Sequence, residues 1–208
     1  MDTLTTLFGS QVRVKLLRLF LLNETTPFFL KEIALRTKSP APAVKKEINA
    51  LIKINLLKKK DISKEITAIQ SKRSVIKKTK GTGYVLNDKF AYRDLLKNLL
   101  TVASIQADES LAKRLMAVGR VKLIVAAGIF IQNWDSRVDL LIVGDDLNLN
   151  KIESIITIIE SEIGKEISYS AFETQDFEYR LGIHDRLVRD ILDYGHVTLV
   201  DRLGIEPQ

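Results

Sequence analysis

The sequence predicts an α+β protein of two domains, and three observations support this prediction. Apolar residues follow a helical spacing in much of the first half, whereas strands alternate with helices after residue 120. Residues 1–90 hold 19 Lys and Arg against 7 Asp and Glu, whereas residues 91–208 hold 13 against 19. A length of 208 residues accommodates two small domains. We therefore expect one domain at residues 1–90, connecting helices at 91–118 and a second domain at 119–208.

The composition restricts the partner and the compartment. The excess of basic residues is confined to the first half, which points to a nucleic acid or another anionic surface as its partner. The chain has no cysteine, so it has neither disulfides nor thiolate metal sites, and this fits a reducing compartment. No apolar run reaches about 18 residues, and the N-terminus lacks the pattern of a signal peptide. We expect a cytoplasmic protein without a membrane partner.

Three helices and a basic strand are expected in the first 60 residues. Leu4–Leu22 has apolar residues at helical spacing and ends at the break formed by Asn23–Pro27, and a second helix covers Leu30–Arg36. The third helix follows Ser39, a good N-cap, and begins at Pro40, whose missing N–H costs nothing in a first turn.

This third helix has two distinct faces. Val44, Ile48, Leu51 and Ile52 fall on one side at helical spacing, and Glu47, the only acid, lies beside them. A polar face without acids is typical of a helix that meets phosphate. The residues on that face are Pro42, Lys45, Lys46, Asn49 and Lys53.

The order helix, short helix, turn and basic amphipathic helix predicts a helix-turn-helix, whose second element lies in the major groove of duplex DNA. Leu56–Lys60 and Lys80–Leu86 read as the two strands of a wing, and the isoleucines between them favour an extended β-ribbon over a plain loop. Asn49 is the expected base reader, because its amide can pair with adenine, whereas lysines mostly meet phosphate. The wing residues expected on DNA are Lys58, Lys60, Lys72, Arg73, Lys77, Lys78 and Lys80.

The connecting region carries a broad apolar stripe. Its first helix is expected from Phe90 to Ala103, and a short second helix follows a break at Ser104–Asp108. Such a stripe belongs either to the core of the second domain or to the seam of a homodimer, and the pattern leaves both open. Because helix-turn-helix proteins usually bind two half-sites, we expect a homodimer with its seam at Tyr92–Leu100.

The second domain is expected to be α/β with a small mixed sheet. His184 and His196 have no cysteine or paired carboxylate at ligand spacing, so we expect structural roles and no metal site. The predicted strands are Val121–Ala126, Val138–Val143, Glu166–Ala171 and His196–Val200, and the predicted helices are Leu149–Ile163, Glu173–Leu181 and His184–Leu192.

Two runs, Val121–Gly128 and Asp135–Asp145, resemble the minimal nucleotidyltransferase domain. In that family a strand ends in Gly-Ser, whose backbone N–H groups hold a triphosphate, and the next strand carries Asp-x-Asp, which holds Mg²⁺. Here Ile129 follows the glycine, the loop is shorter and Arg137 replaces the first carboxylate, which leaves Asp139 alone. Arginine cannot bind a metal ion.

The resemblance therefore implies a nucleotidyltransferase-like fold that does not transfer nucleotides. We expect a degenerate site made of Gly128, Arg137 and Asp139 that has no catalytic residue, no metal and no cofactor, with Glu166 as the only further acid. Arg137 would either pair with Asp139 or receive an anionic or nucleotide ligand.

The whole chain resembles the bacterial transcriptional regulators in which a winged helix is fused to a nucleotidyltransferase-like domain. Leu7–Phe20 is similar to the first helix of that group, and Phe177–Leu181 with Asp185–Arg186 is similar to its C-terminal helices. The resemblance implies a DNA-binding regulator that is not an enzyme, whose second domain serves dimerisation or ligand sensing.

Two alternatives stay open. The first is an active Mg²⁺-dependent nucleotidyltransferase that modifies an RNA, a protein or a small molecule, which Gly128 and Asp139 would support. The second is an RNA-binding module, since a basic ribbon can follow the phosphate backbone of RNA as well as DNA. Exposed aromatic residues on which single strands stack are rare in the wing, where Tyr84 stands alone.

Overall fold

The structure is a computed structural model that describes most of the chain. It covers residues 3–70, 73–102, 109–133 and 136–205, and for 65–70, 73–77 and 101–102 it describes the backbone alone.

The chain divides into two compact units. The first comprises residues 1–100 with 161–165, and the second comprises residues 101–160 with 166–208. Both units contain helices and a β-sheet, so the predicted mixture of α and β structure is confirmed. Among the described residues, no helix has the length and the apolar character needed to cross a membrane.

The first unit begins with four helices, and the first two differ from the single helix that the spacing predicts. A break separates them, because Gly9 adopts a φ of +69° that a helix interior does not allow. Ser10 then caps the next helix, its Oγ accepting a hydrogen bond from the Arg13 N–H at 3.2 Å. The four helices are α1 (Thr3–Phe8), α2 (Gln11–Leu22), α3 (Leu30–Arg36) and α4 (Ala41–Lys53).

Helix α4 begins one residue later than predicted. Pro40 is its N-cap, and Pro42 lies in the first turn, where a missing N–H leaves no hydrogen bond unmade. The Ser39 hydroxyl does not cap the helix but donates to the Thr37 carbonyl oxygen at 3.0 Å. The predicted Ser39 cap is therefore wrong.

The apolar face of α4 is part of the core of the first unit. Val44, Ile48 and Leu51 are buried there together with Phe20 of α2 and Ile33 of α3. Full burial of a side chain of this size contributes about 1.5–3 kcal/mol relative to exposure, so this contact fixes the rotation of α4 about its axis. The opposite face of the helix must then point to solvent.

Two long strands follow α4 and form an antiparallel hairpin. Strand β1 (Leu57–Gln70) and strand β2 (Arg73–Leu86) pair without interruption from Leu57 with Leu86 to Gln70 with Arg73. Each strand has 14 residues and therefore extends for about 45 Å at roughly 3.3 Å per residue. The expected extended β-ribbon is thus confirmed for the backbone, and the strands reach well beyond the predicted residues 56–60 and 80–86. We call this hairpin the ribbon.

The base of the ribbon is attached to the helical part of the unit. Phe28 and Tyr84 form an isolated antiparallel bridge, in which each backbone N–H donates to the other residue's carbonyl oxygen at 2.9 Å. The Phe28 side chain is buried and contacts Phe20 edge to face. The bridge adds a short third strand segment to the hairpin.

The helix after the ribbon, α5 (Arg93–Val102), carries the apolar stripe that was predicted for the connecting region. Leu100 is buried in the core of the first unit, and Leu96 packs against it. Leu95 and Leu99 are 68% and 44% exposed. On one side the stripe thus belongs to the core of the first unit, not of the second, and on the other side Leu95 and Leu99 are exposed among the described residues. The predicted end at Ala103 and the break at 104–108 lie outside the described residues.

The second unit is a four-stranded mixed sheet with helices. The strands are arranged in the order β5, β4, β3, β6, and only β4 and β5 are parallel. Strands β4 and β5 begin two and three residues later than predicted. Just before these strands, the Asp139 N–H donates a hydrogen bond to the Ser168 carbonyl oxygen. In chain order the elements are α6 (Glu109–Leu115), β3 (Arg120–Ala126), β4 (Leu140–Asp145), α7 (Leu149–Ile163), β5 (Tyr169–Glu173), α8 (Thr174–Gly182), α9 (Arg186–Leu192) and β6 (Val197–Asp201).

Candidate functional site

The polar face of α4 is exposed along its length. None of its three lysines forms an ion pair with an acid in the part of the chain that the structure describes. Their ammonium groups are therefore available to an external anion. The residues of this face, all of them exposed, are Pro42, Lys45, Lys46, Asn49 and Lys53.

Glu47 is removed from this face by burial and by an ion pair. Its side chain is 10% exposed, and its Oε2 accepts a hydrogen bond from Arg13 Nε at 2.8 Å. Arg13 also donates to the Phe8 carbonyl oxygen at 3.0 Å, which orients the guanidinium. The predicted position of Glu47 beside the core is confirmed, but no sequence pattern indicates Arg13 as its partner, because 34 residues separate the two. The polar face of α4 consequently carries positive charge without an acid.

The basic residues of the ribbon fall on two faces. Successive residues of a strand point to opposite sides, and directly paired residues share a side. Lys58 and Lys60 therefore lie on one face, whereas Lys80, opposite Ser63, and Lys78, opposite residue 65, lie on the other. The predicted set is thus not a single surface. Lys72 lies outside the described residues, and for Arg73 and Lys77 only the backbone is described.

Two lysines of the ribbon have partners within the protein. Lys64 Nζ lies 3.0 Å from both carboxylate oxygens of Glu32 and 5.1 Å from the centre of the Phe28 ring. Lys58 pairs with Asp88, and this hydrogen bond holds the pKa of the Asp88 carboxyl below its usual range. The exposed ribbon lysines that pair with no other described residue are Lys59, Lys60, Lys78 and Lys80.

In the second unit, Gly128 and Asp139 form one closely packed turn. Gly128 opens a 3-10 turn, Gly128–Ile131, with a φ of +51°. Asp139 Oδ1 accepts a hydrogen bond from the Ile129 N–H at 2.8 Å, and its Oδ2 accepts one from the Ser168 N–H at 2.9 Å. A Cβ at position 128 would collide with Asp139 Oδ1. Glycine is thus required twice, by its φ and by the carboxylate beside it.

These contacts give Asp139 a structural task. Both of its oxygens accept backbone N–H groups, so the carboxylate joins the turn to the segment before β5. The Ile129 N–H, which in the resembled family would face a phosphate, is occupied by this carboxylate instead. Glu166 is exposed and precedes β5. Within the described ranges, no three His, Cys, Asp or Glu side chains are grouped so that they could hold a metal ion.

Arg137 does not pair with Asp139, so that expectation is wrong. Its Nη1 lies 3.6 Å from Asp190 Oδ2 of α9, and Arg186 Nε lies 3.9 Å from the same oxygen. The reason is that the backbone already holds both oxygens of Asp139. Two guanidinium groups sharing one carboxylate leave a local excess of positive charge beside a cavity of about 450 Å³. Asp190 was missed because no spacing relates it to residue 137.

The chain was compared with protein-family models, with curated proteins and with solved structures, and none of the three comparisons gave a match.

Proposed function

We propose that this chain is a DNA-binding transcriptional regulator whose residues 1–90 form a winged helix domain. The observation that carries the proposal is the polar face of α4, which is exposed and has its only acid buried against Arg13. The order of elements supports it as well, because α2, the Phe28 bridge, α3, α4 and the ribbon follow one another as a winged helix requires.

In this proposal α4 enters the major groove of the duplex. The lysines of its polar face bind phosphate and release counterions, which supplies affinity that does not depend on sequence. Asn49, the one amide on that face, reads a base edge, and adenine N6 and N7 match its donor and acceptor. The rigid attachment of α4 to the core holds these side chains in one orientation.

The ribbon supplies a second set of phosphate contacts. Its length of about 45 Å exceeds one turn of B-DNA, about 34–36 Å, so it can follow the backbone past the major groove. The ribbon lysines that pair with no other described residue would make these contacts. Lys59, Lys78 and Lys80 lie on one face of the ribbon, and Lys60 lies on the other face.

The second unit serves dimerisation or ligand sensing in this proposal, with a nucleotidyltransferase-like fold and no transfer reaction. Two observations support the absence of nucleotidyl transfer. The carboxylate of Asp139 accepts hydrogen bonds from two backbone N–H groups, and Arg137 stands where a second carboxylate would be needed. Transfer would need two or more carboxylates converging on Mg²⁺. We further propose that the protein is a homodimer with its main seam at the exposed residues of α5, which belong to the first unit, so that dimer contacts of the second unit would add to this seam.

Binding of the full-length protein to fluorescent genomic duplexes tests the proposal. Lys46→Ala should weaken binding to all duplexes alike, whereas Asn49→Ala should reduce the preference among duplexes by about 1–3 kcal/mol for each base that Asn49 reads. Lys113→Ala, on α6, is the control because this lysine belongs to the second unit and pairs with Glu109. Single- and double-stranded RNA are measured in parallel. Tighter binding to RNA, or unchanged DNA binding in both variants, would refute the proposal.

A further inference from the structure

Residues 161–165 are distant in sequence from α2, α3 and α4, yet they belong to the same unit. They comprise the last residues of α7 and the turn after it. Two side chains of α2 and its C-cap hold the backbone of this segment. Arg18 Nη1 donates to the Glu162 carbonyl oxygen at 2.9 Å, and Asn23 Nδ2 donates to the Gly164 carbonyl oxygen at 2.8 Å. The segment is therefore fixed to α2 at two points.

Gly164 allows this segment to approach the backbone of α2 closely. Its φ is +85°, in the left-handed region that favours glycine. A Cβ at this position would lie 2.5 Å from the backbone nitrogen of Leu19, which is closer than real Cβ atoms come. Any larger residue would therefore push residues 161–165 away from α2.

Lys15 connects this segment to the turn between α3 and α4. Its Nζ donates to Ser161 Oγ at 3.3 Å and to the Thr37 carbonyl oxygen at 3.0 Å. Ser161 is 2% exposed and Thr37 is 1% exposed. Burial lowers the pKa of the Lys15 ammonium, and the nearby Glu162 carboxylate opposes this shift. Because the ammonium is partly withdrawn from water, losing one of its acceptors costs more free energy than at the surface.

The Thr37 carbonyl lies at the point where the chain turns from α3 towards α4. Thr37 is the C-cap of α3, and Lys38 after it has a φ of +46°. The N–H groups of Lys38 and Ser39 close the turn by hydrogen bonds to α3 at 3.1 and 3.0 Å, which is the pattern of a Schellman motif. The carbonyl of Thr37 takes no part in these two bonds and accepts the Lys15 ammonium instead. The ammonium thus holds the turn from which α4 starts.

We infer that Lys15 is a positioning residue for DNA reading by α4 and that residues 161–165 hold Lys15 in place. This inference rests on the proposed function, since it concerns how α4 is held while Asn49 reads a base. Lys15 acts through the Thr37 carbonyl and not on phosphate. A segment from the second half of the sequence thereby supports the orientation of the DNA-binding helix.

Binding of the full-length protein to a panel of duplexes tests the role of Lys15. Lys15→Met removes the ammonium and keeps nearly the same length of side chain. The preference for the best duplex over the weakest should fall about tenfold, comparable to the loss of one hydrogen bond to a charged group. The slope of log Kd against log salt should keep its wild-type value, whereas a lysine that met phosphate would lower its magnitude by about 0.9.

Lys122→Met is the matched control for this substitution. Lys122 belongs to the second unit, its side chain is 35% exposed and its Nζ lies 3.0 Å from Asp145 Oδ2. The control therefore also removes a half-buried lysine from a polar partner. It should lower stability to a similar extent and leave the preference among duplexes unchanged.

Amide hydrogen exchange without DNA gives a second measurement, which does not depend on the proposed function. The Lys38 and Ser39 amides should exchange about tenfold faster in Lys15→Met, because the turn opens more often when its ammonium is lost. The Ala127 amide of the second unit, which donates to the Asp139 carbonyl oxygen at 2.8 Å, should keep its wild-type rate. A general loss of stability would accelerate all three amides.

Gly164→Ala tests the role of residues 161–165. It should reduce the duplex preference and accelerate exchange in the turn, as Lys15→Met does. Gly182→Ala is the control, because a Cβ at position 182 meets nothing within 4 Å. Should Gly164→Ala fail to fold, Ser161→Ala decides in its place, because it removes only the hydroxyl that accepts from Lys15. Ser161→Ala should change both measurements in the same direction.

Three results would overturn the inference. They are a wild-type duplex preference and wild-type turn exchange in Lys15→Met, a slope reduced by about 0.9 in the same variant, and wild-type behaviour of Gly164→Ala or, in its place, Ser161→Ala. A wild-type protein that binds no duplex would instead refute the proposed function. The exchange rates would then show on their own whether Lys15 and residues 161–165 hold the turn.

Discussion

At the scale of single residues, the burial of Glu47 determines the net charge of the polar face of α4. Helix α4 contains one acid, and the ion pair with Arg13 keeps that acid against the core. If the carboxylate were exposed instead, it would repel phosphate and attract the neighbouring lysines. One buried contact therefore turns an ordinary charged helix into a helix with a positive face.

We expect Glu47→Ala to lower the free energy of unfolding by about 1–2 kcal/mol, because the change removes the carboxylate partner of the Arg13 Nε–H and leaves only the Phe8 carbonyl as acceptor. Urea denaturation at neutral pH measures this. Glu109→Ala is the matched control, since Glu109 is 85% exposed in its pair with Lys113 and should change stability very little. Equal effects of the two substitutions would contradict the structural role of Glu47.

At the turn that begins with Gly128, a structural role of Asp139 can be distinguished from a role as a metal ligand. A metal ligand is often replaceable without loss of stability in the absence of metal, whereas a carboxylate that accepts two backbone N–H groups is not. We expect Asp139→Ala to lower stability by about 1–3 kcal/mol in a metal-free buffer. We also expect Mg²⁺ to leave the Tm of the wild-type protein unchanged, as read by differential scanning fluorimetry. A stable Asp139→Ala variant, together with a wild-type Tm that rises with Mg²⁺, would contradict the structural role and favour Asp139 as a metal ligand.

At the scale of elements, the ribbon contains two kinds of lysine, those paired with an acid of the protein and those that pair with no described residue. Lys64 is committed to Glu32, whereas Lys59 has no partner among the described residues. We expect Lys59→Ala to reduce the slope of log Kd against log salt by about 0.9, the value for one phosphate contact, and Lys64→Ala to leave the slope unchanged. The second variant should instead lower stability. Equal slopes in the two variants would show that pairing with Glu32 does not decide which lysines meet DNA.

Helix α5 divides its apolar residues between two tasks. Leu96 and Leu100 pack into the first unit, whereas Leu95 and Leu99, together with Tyr92 just before the helix, are exposed. We expect light scattering to report twice 23.5 kDa for the wild type and 23.5 kDa for Leu95→Glu. Leu149→Glu, at another exposed leucine, should remain dimeric. A monomeric wild type with and without DNA would rule out the seam.

The elements also show what the sequence could predict. Helices α3 and α7 lie where the periodicity places them, since a long apolar repeat or a clear break marks both ends. The division between α1 and α2 was missed, because Gly9 acts through its φ and leaves the apolar spacing of the neighbouring residues unchanged. The register of the ribbon is likewise invisible in a basic sequence, yet it decides which lysines share a face.

The contacts of the second unit were harder to predict than its elements. That the Gly128 turn lacks a full set of metal ligands stays a prediction from residue types, because Arg137 stands where the resembled family has a carboxylate. The partner of Arg137 could not be predicted, since Asp190 reaches it only through the packing of α9.

At the scale of the whole molecule, the unequal charge of the two halves favours different roles for them. The first half carries the basic surface, and the acidic second half would be repelled by DNA. This division predicts that nucleic-acid affinity depends on residues 1–90 and that the second half modifies it through dimerisation or a bound ligand.

The most direct measurement of the central claim is the salt dependence of binding to duplex DNA. Fluorescence anisotropy of the full-length protein from about 50 to 200 mM salt should give a linear loss of affinity, with a slope near −0.9 for each phosphate contacted. The triple variant Lys45→Ala, Lys46→Ala, Lys53→Ala should reduce the magnitude of the slope by about 2.7 and leave stability unchanged. A wild-type affinity that does not vary with salt, or a triple variant with the wild-type slope, would contradict the assignment of α4 as the DNA-binding helix.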